Sequence, residues 1–331
     1  GLVAPTDLYP LYENATRAAW GQSLAEAQAE SGVIWAGMSA VAAANENAWI
    51  RKPQTAEAIT SIEADNRPIA FPYQKRMVAN SSVNQGAGFI VTSLAVARAA
   101  GVAEANIIHV GMGAAAHETH NMLKRDQYVQ PAGMVVTIEE TLKRNALTTA
   151  DLDHVELYSC FPCVPKMARR VLGWPVDRPI TAFGGLTFGG GPIGNYMSHA
   201  IASMVDTLRD KRGTAFLFAN GGYATHFHGI VLSADPLPAA QFPHDYDVNA
   251  LADAKRGPVP PADESYEGPA VIESYTVFYK RDGSVRFGTI IAKNPAGARV
   301  LARVEPEAAA MIDVLTNGAQ EPVGLAGSTQ R

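Results

Sequence analysis

Cysteine is almost missing from this chain: its 331 residues include only Cys160 and Cys163. Two cysteines three positions apart exclude the disulfide framework of a small secreted domain. Charge is scarce as well. Charged residues make up 18% of the sequence, against roughly 25% in ordinary soluble domains, and 27 basic residues face 32 acidic ones without a run of either sign. Nucleic acid is therefore not an expected partner. Long apolar runs are missing too. Stretches such as 33–44 fall well short of the roughly 20 residues a membrane span needs, and no basic, apolar, small-residue leader opens the chain. A soluble, cytoplasmic protein with no membrane partner is the expectation.

The sequence does contain enough apolar matter for a sizeable core, at 47% hydrophobic, and enough length for two domains or one with an appendage. Apolar spacing of three and four predicts a helix over 7–29, with Asp7 as its N-cap, and a second over 32–47. Prolines 53, 68 and 72 then break the pattern around one short helix at 55–62. A helix at 84–100 and a strand at 106–110 follow. Next come a helix at 135–144, a strand at 151–159 and a helix at 161–171, an alternation that predicts α/β layering. Strands at 214–219 and 228–233 bracket the turn Asn220-Gly-Gly-Tyr223. The proline-dense stretch 236–269 predicts a linker without helix or sheet. Alternating strands at 270–280, 285–293 and 299–304, with Asp282-Gly283 as a hairpin turn, predict a small β-domain beyond it.

Three segments carry candidate chemistry. His117-Glu-Thr-His120 has its histidines three apart, not the four that put both imidazoles of a zincin on one helical face, so a polar loop and no metal are expected. Cys160-Phe-Pro-Cys163 stands between a strand and a helix start, where amides and the helix dipole favour thiolate. A redox pair and two buried structural thiols are the alternatives there. The glycine loop from Phe183 to Gly194 precedes a helix with Tyr196 and His199, and lets backbone approach a ligand or hold an anion. It matches neither a Walker A loop nor the dinucleotide fingerprint.

Taken in order, Tyr158-Ser-Cys-Phe161, Gly184-Gly-Leu-Thr-Phe-Gly-Gly-Gly-Pro192-Ile-Gly194 and Ala219-Asn-Gly-Gly-Tyr223 resemble the second half of a thiolase. In that family an Asn-Glu-Ala-Phe or His-Asp-Cys-Phe tetrad, a Gly-His-Pro loop and a Cys-x-Gly-Gly turn converge on one acyl-transfer site. Asn84-Gln-Gly-Ala-Gly88 is similar to the stretch where the family's chain leaves its loop domain. Among its members, the chain most resembles thiolase-like proteins with an additional C-terminal β-domain. The resemblance implies an α/β fold, the C-terminal half of a thiolase with a helical loop segment, plus a small β-barrel-like domain. It divides the chain into a loop-domain segment (1–83), a thiolase C-terminal α/β domain (84–235), a linker (236–269) and the added β-domain (270–331).

Three family side chains are replaced here: Tyr158 stands for Asn or His, Gly191 for the Gly-His-Pro histidine, and Ala219 for the second cysteine. The family's acylated cysteine lies upstream of the matching region. The resemblance thus implies a subunit that handles acyl-CoA, by Claisen condensation or thiolysis, with the nucleophilic cysteine on an N-terminal partner chain in a hetero-oligomer. Coenzyme A enters as co-substrate and no other cofactor is implied. Cys160, Tyr158, His199 and His226 are the candidate catalytic side chains, and the amides of Gly190, Gly191, Gly221 and Gly222 the candidate oxyanion donors. Of His226 and His228, only one is expected to face the site. The rival is a non-catalytic acyl-CoA-binding protein. Residues 1–5, opening on Gly1, read as an internal junction of a longer precursor.

Overall fold

Proline in the first turn, together with an Asp7 carboxylate that accepts the Ala4 amide at 2.9 Å, starts helix α1 (Pro5–Ala19) in the computed structural model. Residue 2 and residues 4–330 are described, so Gly1 and Val3 of the expected junction lie outside the described residues. Ala4, not Asp7, is the N-cap. The chain breaks at Gly21, which takes φ +68°, and Ser23 and Glu26 cap each other to start α2 (Leu24–Ala44). The expected break before Gly32 does not occur. Gly32 sits within α2 because Ala56 and Thr60 of α3 (Ala56–Thr60) stand 3.0–3.3 Å from where its Cβ would be.

After β1 (Pro68–Ala70) and β2 (Tyr73–Gln74) the chain forms α4 (Leu94–Ala99), only a fragment of the helix expected over 84–100. Strands β3 (His109–Val110) and β4 (Ala114–His117) follow. His117 thus ends a strand and does not open a polar loop, because Ala114, Ala115 and Ala116 are buried in register with β7 (His226–Ser233). Helix α5 (Ala132–Arg144), strand β5 (His154–Leu157), helix α6 (Cys163–Leu172), helix α7 (Tyr196–Lys211) and strand β6 (Thr214–Gly221) complete an α/β layer. Its five-stranded sheet runs β3-β7-β6-β5, with β4 also on β7, and only β5 and β6 are parallel.

Period-two alternation on β6 splits the core. Phe216 and Phe218 face the large cluster shared with α1, α2, α5 and α6, while Ala215 and Leu217 face Met204 and Leu208 of α7. All four strand residues are fully buried, as a sheet covered on both faces requires.

The stretch 236–269 is not without regular structure. Asp247 bridges to Ala115, and α8 (Asn249–Lys255) packs on α5 and β4, seating Val248 and Ala252 against Val136. Beyond it, β8 (Gly268–Tyr279), β9 (Val285–Lys293) and β10 (Arg299–Val304) form the expected meander, extended by α9 (Ala309–Thr316) and β11 (Ala326–Thr329). This sheet is open, in the order β10-β9-β8-β1-β2 with β11 also on β8, and does not close as a barrel. Helix α1 lies across β8, where the buried Asn14 donates to Tyr275 O at 2.9 Å.

Candidate functional site

Strands β5 and β6 are parallel neighbours, so Cys160, just past the C-terminal end of β5, and Asn220, next to last on β6, come together. Asn220 Nδ2 donates to the Tyr9 hydroxyl at 2.8 Å and lies 3.8 Å from Cys160 Sγ. Tyr9, delivered by α1, stacks on Phe161 at 4.6 Å, donates to Gly222 O at 2.9 Å and accepts from Ala224 N at 3.2 Å. Tyr12 lies 3.1 Å from Tyr223 O, and buried Arg125 donates to Ala224 O at 2.8 Å and to Thr225 Oγ1 at 3.1 Å. These contacts hold Ala224 at φ +54°, a conformation that an alanine rarely adopts and that needs such over-determination. The turn is a rigid, preorganised element with Gly222 on its exposed side.

The thiol chemistry differs from the sequence expectation. Cys160 lies three residues ahead of α6, whose N-cap is Pro162, and burial pushes its thiol up to about 12, against the bonds from Tyr9 and Asn220 that pull it down. Cys163, fully buried, is raised too, by burial and then by the charge of Glu13. Both are free thiols, protonated at neutral pH. A helix-start thiolate is therefore not formed, and a redox pair loses the lowered pKa on which its reactivity rests.

The glycine loop folds as a π-helical turn over Gly185–Gly189. Thr181 Oγ1 accepts the amides of Phe183, Gly184 and Gly185 at 2.9–3.2 Å and donates to Glu156. Glu156 also takes the Tyr196 hydroxyl at 2.6 Å and the Ala182 amide at 2.9 Å. Burial raises this carboxyl to about 7 in spite of those bonds. Much of the loop's glycine content serves helix packing: a Cβ on Gly184 would stand 2.6 Å from Ala42 Cβ, and one on Gly185 2.2 Å from Met38 Sδ, both on α2. Gly190, at φ +108°, faces Gln85, whose Nε2 donates to Gly189 O at 2.9 Å. The Gly191 amide donates to Asn80 O at 2.8 Å and so is not free for an oxyanion.

Two groups hold the remaining candidates: Tyr158 and His199 join one aromatic cluster through Tyr196 and Phe183, and His226 stands apart. Tyr158 meets Tyr196 edge-on at 5.7 Å, and its hydroxyl is raised by burial and by the neighbouring Cys160. His199, buried on α7, pairs through Nδ1 with Asn195 O at 2.9 Å, lies 5.4 Å from Phe183, and leaves Nε2 without a partner. His226 is exposed, 5.2 Å from His120 and 6.2 Å from His117, and is held below the ordinary imidazole value by burial and these neighbours. His228 shares its exposed face, because i and i+2 on a strand point the same way. The expectation that only one of the two can face the site fails in its reasoning, since strand alternation puts both on one face. Among the described residues no group of three His, Cys, Asp or Glu is arranged to hold a metal ion. No described helix is long and apolar enough to cross a membrane.

Sequence reasoning missed Tyr9, Arg125, Glu156 and the buried pair Lys166–Glu13, in which Lys166 Nζ stands 2.6 Å from Glu13 Oε1 and Tyr73 donates to Glu13 Oε2 at 2.8 Å. A charged residue buried in α1 was the signal available for Glu13; Tyr9 had none, since the residues it meets at the turn lie more than 200 positions away. A cavity of about 430 Å³ lies elsewhere, between α1 and the C-terminal sheet, lined by Arg17, Phe71, Tyr275 and Glu321.

Comparison with known proteins gives three results. Residues 251–330 match the model of the "Thiolase-like protein type 1 additional C-terminal domain". A monomeric SCP2-thiolase-like protein type 1 from Mycobacterium smegmatis is 32% identical, with a TM-score of 0.88 over 98% of this chain and 70% of that one. Human mitochondrial 3-ketoacyl-CoA thiolase is 14% identical, with a TM-score of 0.47 over 68% of this chain and 59% of that one. No curated protein matches.

Proposed function

Because the chain belongs to the SCP2-thiolase-like protein type 1 family, we propose that it is the acyl-CoA-handling part of a thiolase-superfamily acyltransferase, with the nucleophilic cysteine supplied by a separate polypeptide. One observation carries the reading: a rigid glycine turn adjoins Cys160, whose thiol, like that of Cys163, burial keeps protonated at neutral pH. The chain has a place to stabilise charge and no thiolate of its own to attack with.

In the proposed step the partner's thiolate adds to a thioester carbonyl, an S–C bond forms, and coenzyme A leaves as thiolate. The tetrahedral oxyanion is met by the turn at Gly221 and Gly222 and by donors that burial keeps protonated, Cys160 and Tyr158. His199, with a buried and unpartnered Nε2, is better placed for proton transfer than exposed His226. Carbon–carbon bond formation or thiolysis completes the cycle, with coenzyme A as co-substrate. Incubating the paired chains with radiolabelled acetyl-CoA is the test. Label on the partner chain, lost when its cysteine is alkylated, is the expected result; label on Cys160 would overturn the assignment. Coenzyme A binding with no label on either chain would favour the rival, a non-catalytic acyl-CoA-binding protein.

A further inference from the structure

Glu156 is a fully buried carboxyl group that no step of the proposed reaction uses. Period-two alternation on β5 sends Val155 and Leu157 into the large core cluster and Glu156 to the opposite face, toward α7. Among the described residues, hydrogen bonds and no ion pair hold it: the Tyr196 hydroxyl at 2.6 Å, the Ala182 amide at 2.9 Å and the Thr181 hydroxyl at 2.9 Å. Its register partner on β6 is the apolar Leu217. Besides Tyr196, the titratable groups on this side are Tyr158, edge-on to the Tyr196 ring, and His199, which follows on α7 against Phe183.

All three partners are donors, which suits a carboxylate and not an acid. A protonated Glu156 must itself donate, and an amide cannot accept. Of the two hydroxyls, Thr181 Oγ1 already accepts the amides of Phe183, Gly184 and Gly185, and Tyr196, once turned away from Glu156, has Thr181 as its neighbour. Either way the added proton competes for the one oxygen that anchors the start of the glycine loop. Gly184 and Gly185 leave that anchor at φ +115° and +70°, and the next amide, of Leu186, donates at 3.1 Å to Ser159 Oγ, between Tyr158 and Cys160. The anchor therefore reaches the candidate site along two routes, through the loop and through Tyr196 to Tyr158.

We infer that Glu156 is a positioning residue whose carboxylate form fastens the glycine loop, through Thr181, in the arrangement that receives acyl-CoA, and whose protonation loosens it. The inference rests on the proposed function for its ligand and adds a regulation by pH to that site. Linkage gives the sign. Bonds from Thr181 and Ala182 pull the acid down against burial, so ionisation must strengthen those same bonds in return. Burial leaves the carboxyl at about 7, which puts the exchange near neutral pH. The carboxylate thus lowers the stability of the fold while ordering one loop, a division of effects found where function sets the residue.

The test measures amide hydrogen exchange over 183–191 and calorimetric affinity for coenzyme A, both at pH 6 and pH 8. Protection of the loop, corrected for intrinsic rates, should rise ~5–10-fold between them, and coenzyme A should bind at least ~3-fold more weakly at pH 6. Core amides that exchange only by global unfolding should move the other way, because the fold loses stability over the same range. In Glu156→Gln the loop should stay loose and both readings become independent of Glu156's titration, flat for the loop. Thr181→Val should abolish the pH response of the loop while Thr181→Ser preserves it, a rescue that a purely structural threonine would not show. The parent's pH response surviving in Glu156→Gln or Thr181→Val, or no response in the parent, would overturn the inference. A pH-dependent loop without coenzyme A binding at either pH would sink the proposed function and leave the switch standing. Coenzyme A bound beside a loop indifferent to pH would do the reverse.

Discussion

At the scale of single residues, the site is governed by burial. Cys160 and Cys163 are raised because desolvation disfavours thiolate, so native protein at pH 7.5 should resist iodoacetamide at both and react fully once unfolded, as read by mass. Fast alkylation of Cys160 in the folded chain would contradict this. In the paired enzyme, Cys160→Ala should lower turnover more than Cys163→Ala, because Cys160 adjoins the turn. Glu156 gives a pH signature. Its native pKa of about 7 stands above the ordinary 4.5, so the native state holds the extra proton between these values and stability falls as pH rises through that window. Glu156→Gln should remove this loss, gaining up to roughly 3 kcal/mol relative to the parent between pH 4.5 and 7 in urea titrations. A pH-independent difference would contradict it. Cys160 and the Gly221-Gly222 turn were legible as motifs in the sequence. Tyr9 and Arg125, which hold the turn, were not, because long-range packing brings them there and no local pattern marks them.

At the scale of elements, the glycine loop illustrates how a motif can be read correctly and its reason wrongly. Its glycines suggested an open approach for ligand, but Gly184 and Gly185 are small because α2 lies on them. Gly185→Ala should destabilise by about 2–4 kcal/mol, combining a left-handed backbone with a clash at Met38 Sδ. Gly194→Ala, equally left-handed at φ +75° but open around its Cβ, should cost about 1 kcal/mol. Equal losses in urea unfolding would show that packing is not the cause. Period and caps made α5, β6 and the C-terminal meander legible. The α1–α2 boundary was misplaced because Ala-rich α2 is apolar all round and its interior Gly32 imitates a stop. Helix α4 shrank for the opposite reason: with no surface to pack on, propensity sustains only six residues.

At the scale of the whole molecule, a fully packed α/β core and C-terminal sheet stand beside a segment, 84–106, that is almost wholly exposed. The sequence announced the family through three short motifs. It did not reveal that 84–106 is exposed, because an apolar run reads as buried from periodicity alone. The central claim is that acyl transfer needs a thiolate from another polypeptide. Steady-state thiolysis of acetoacetyl-CoA, the simplest 3-ketoacyl-CoA probe, tests it most directly when run on this chain alone, on the pair, and on the pair with the partner's cysteine changed to alanine. The account predicts turnover only in the intact pair; sustained turnover by this chain alone would contradict it.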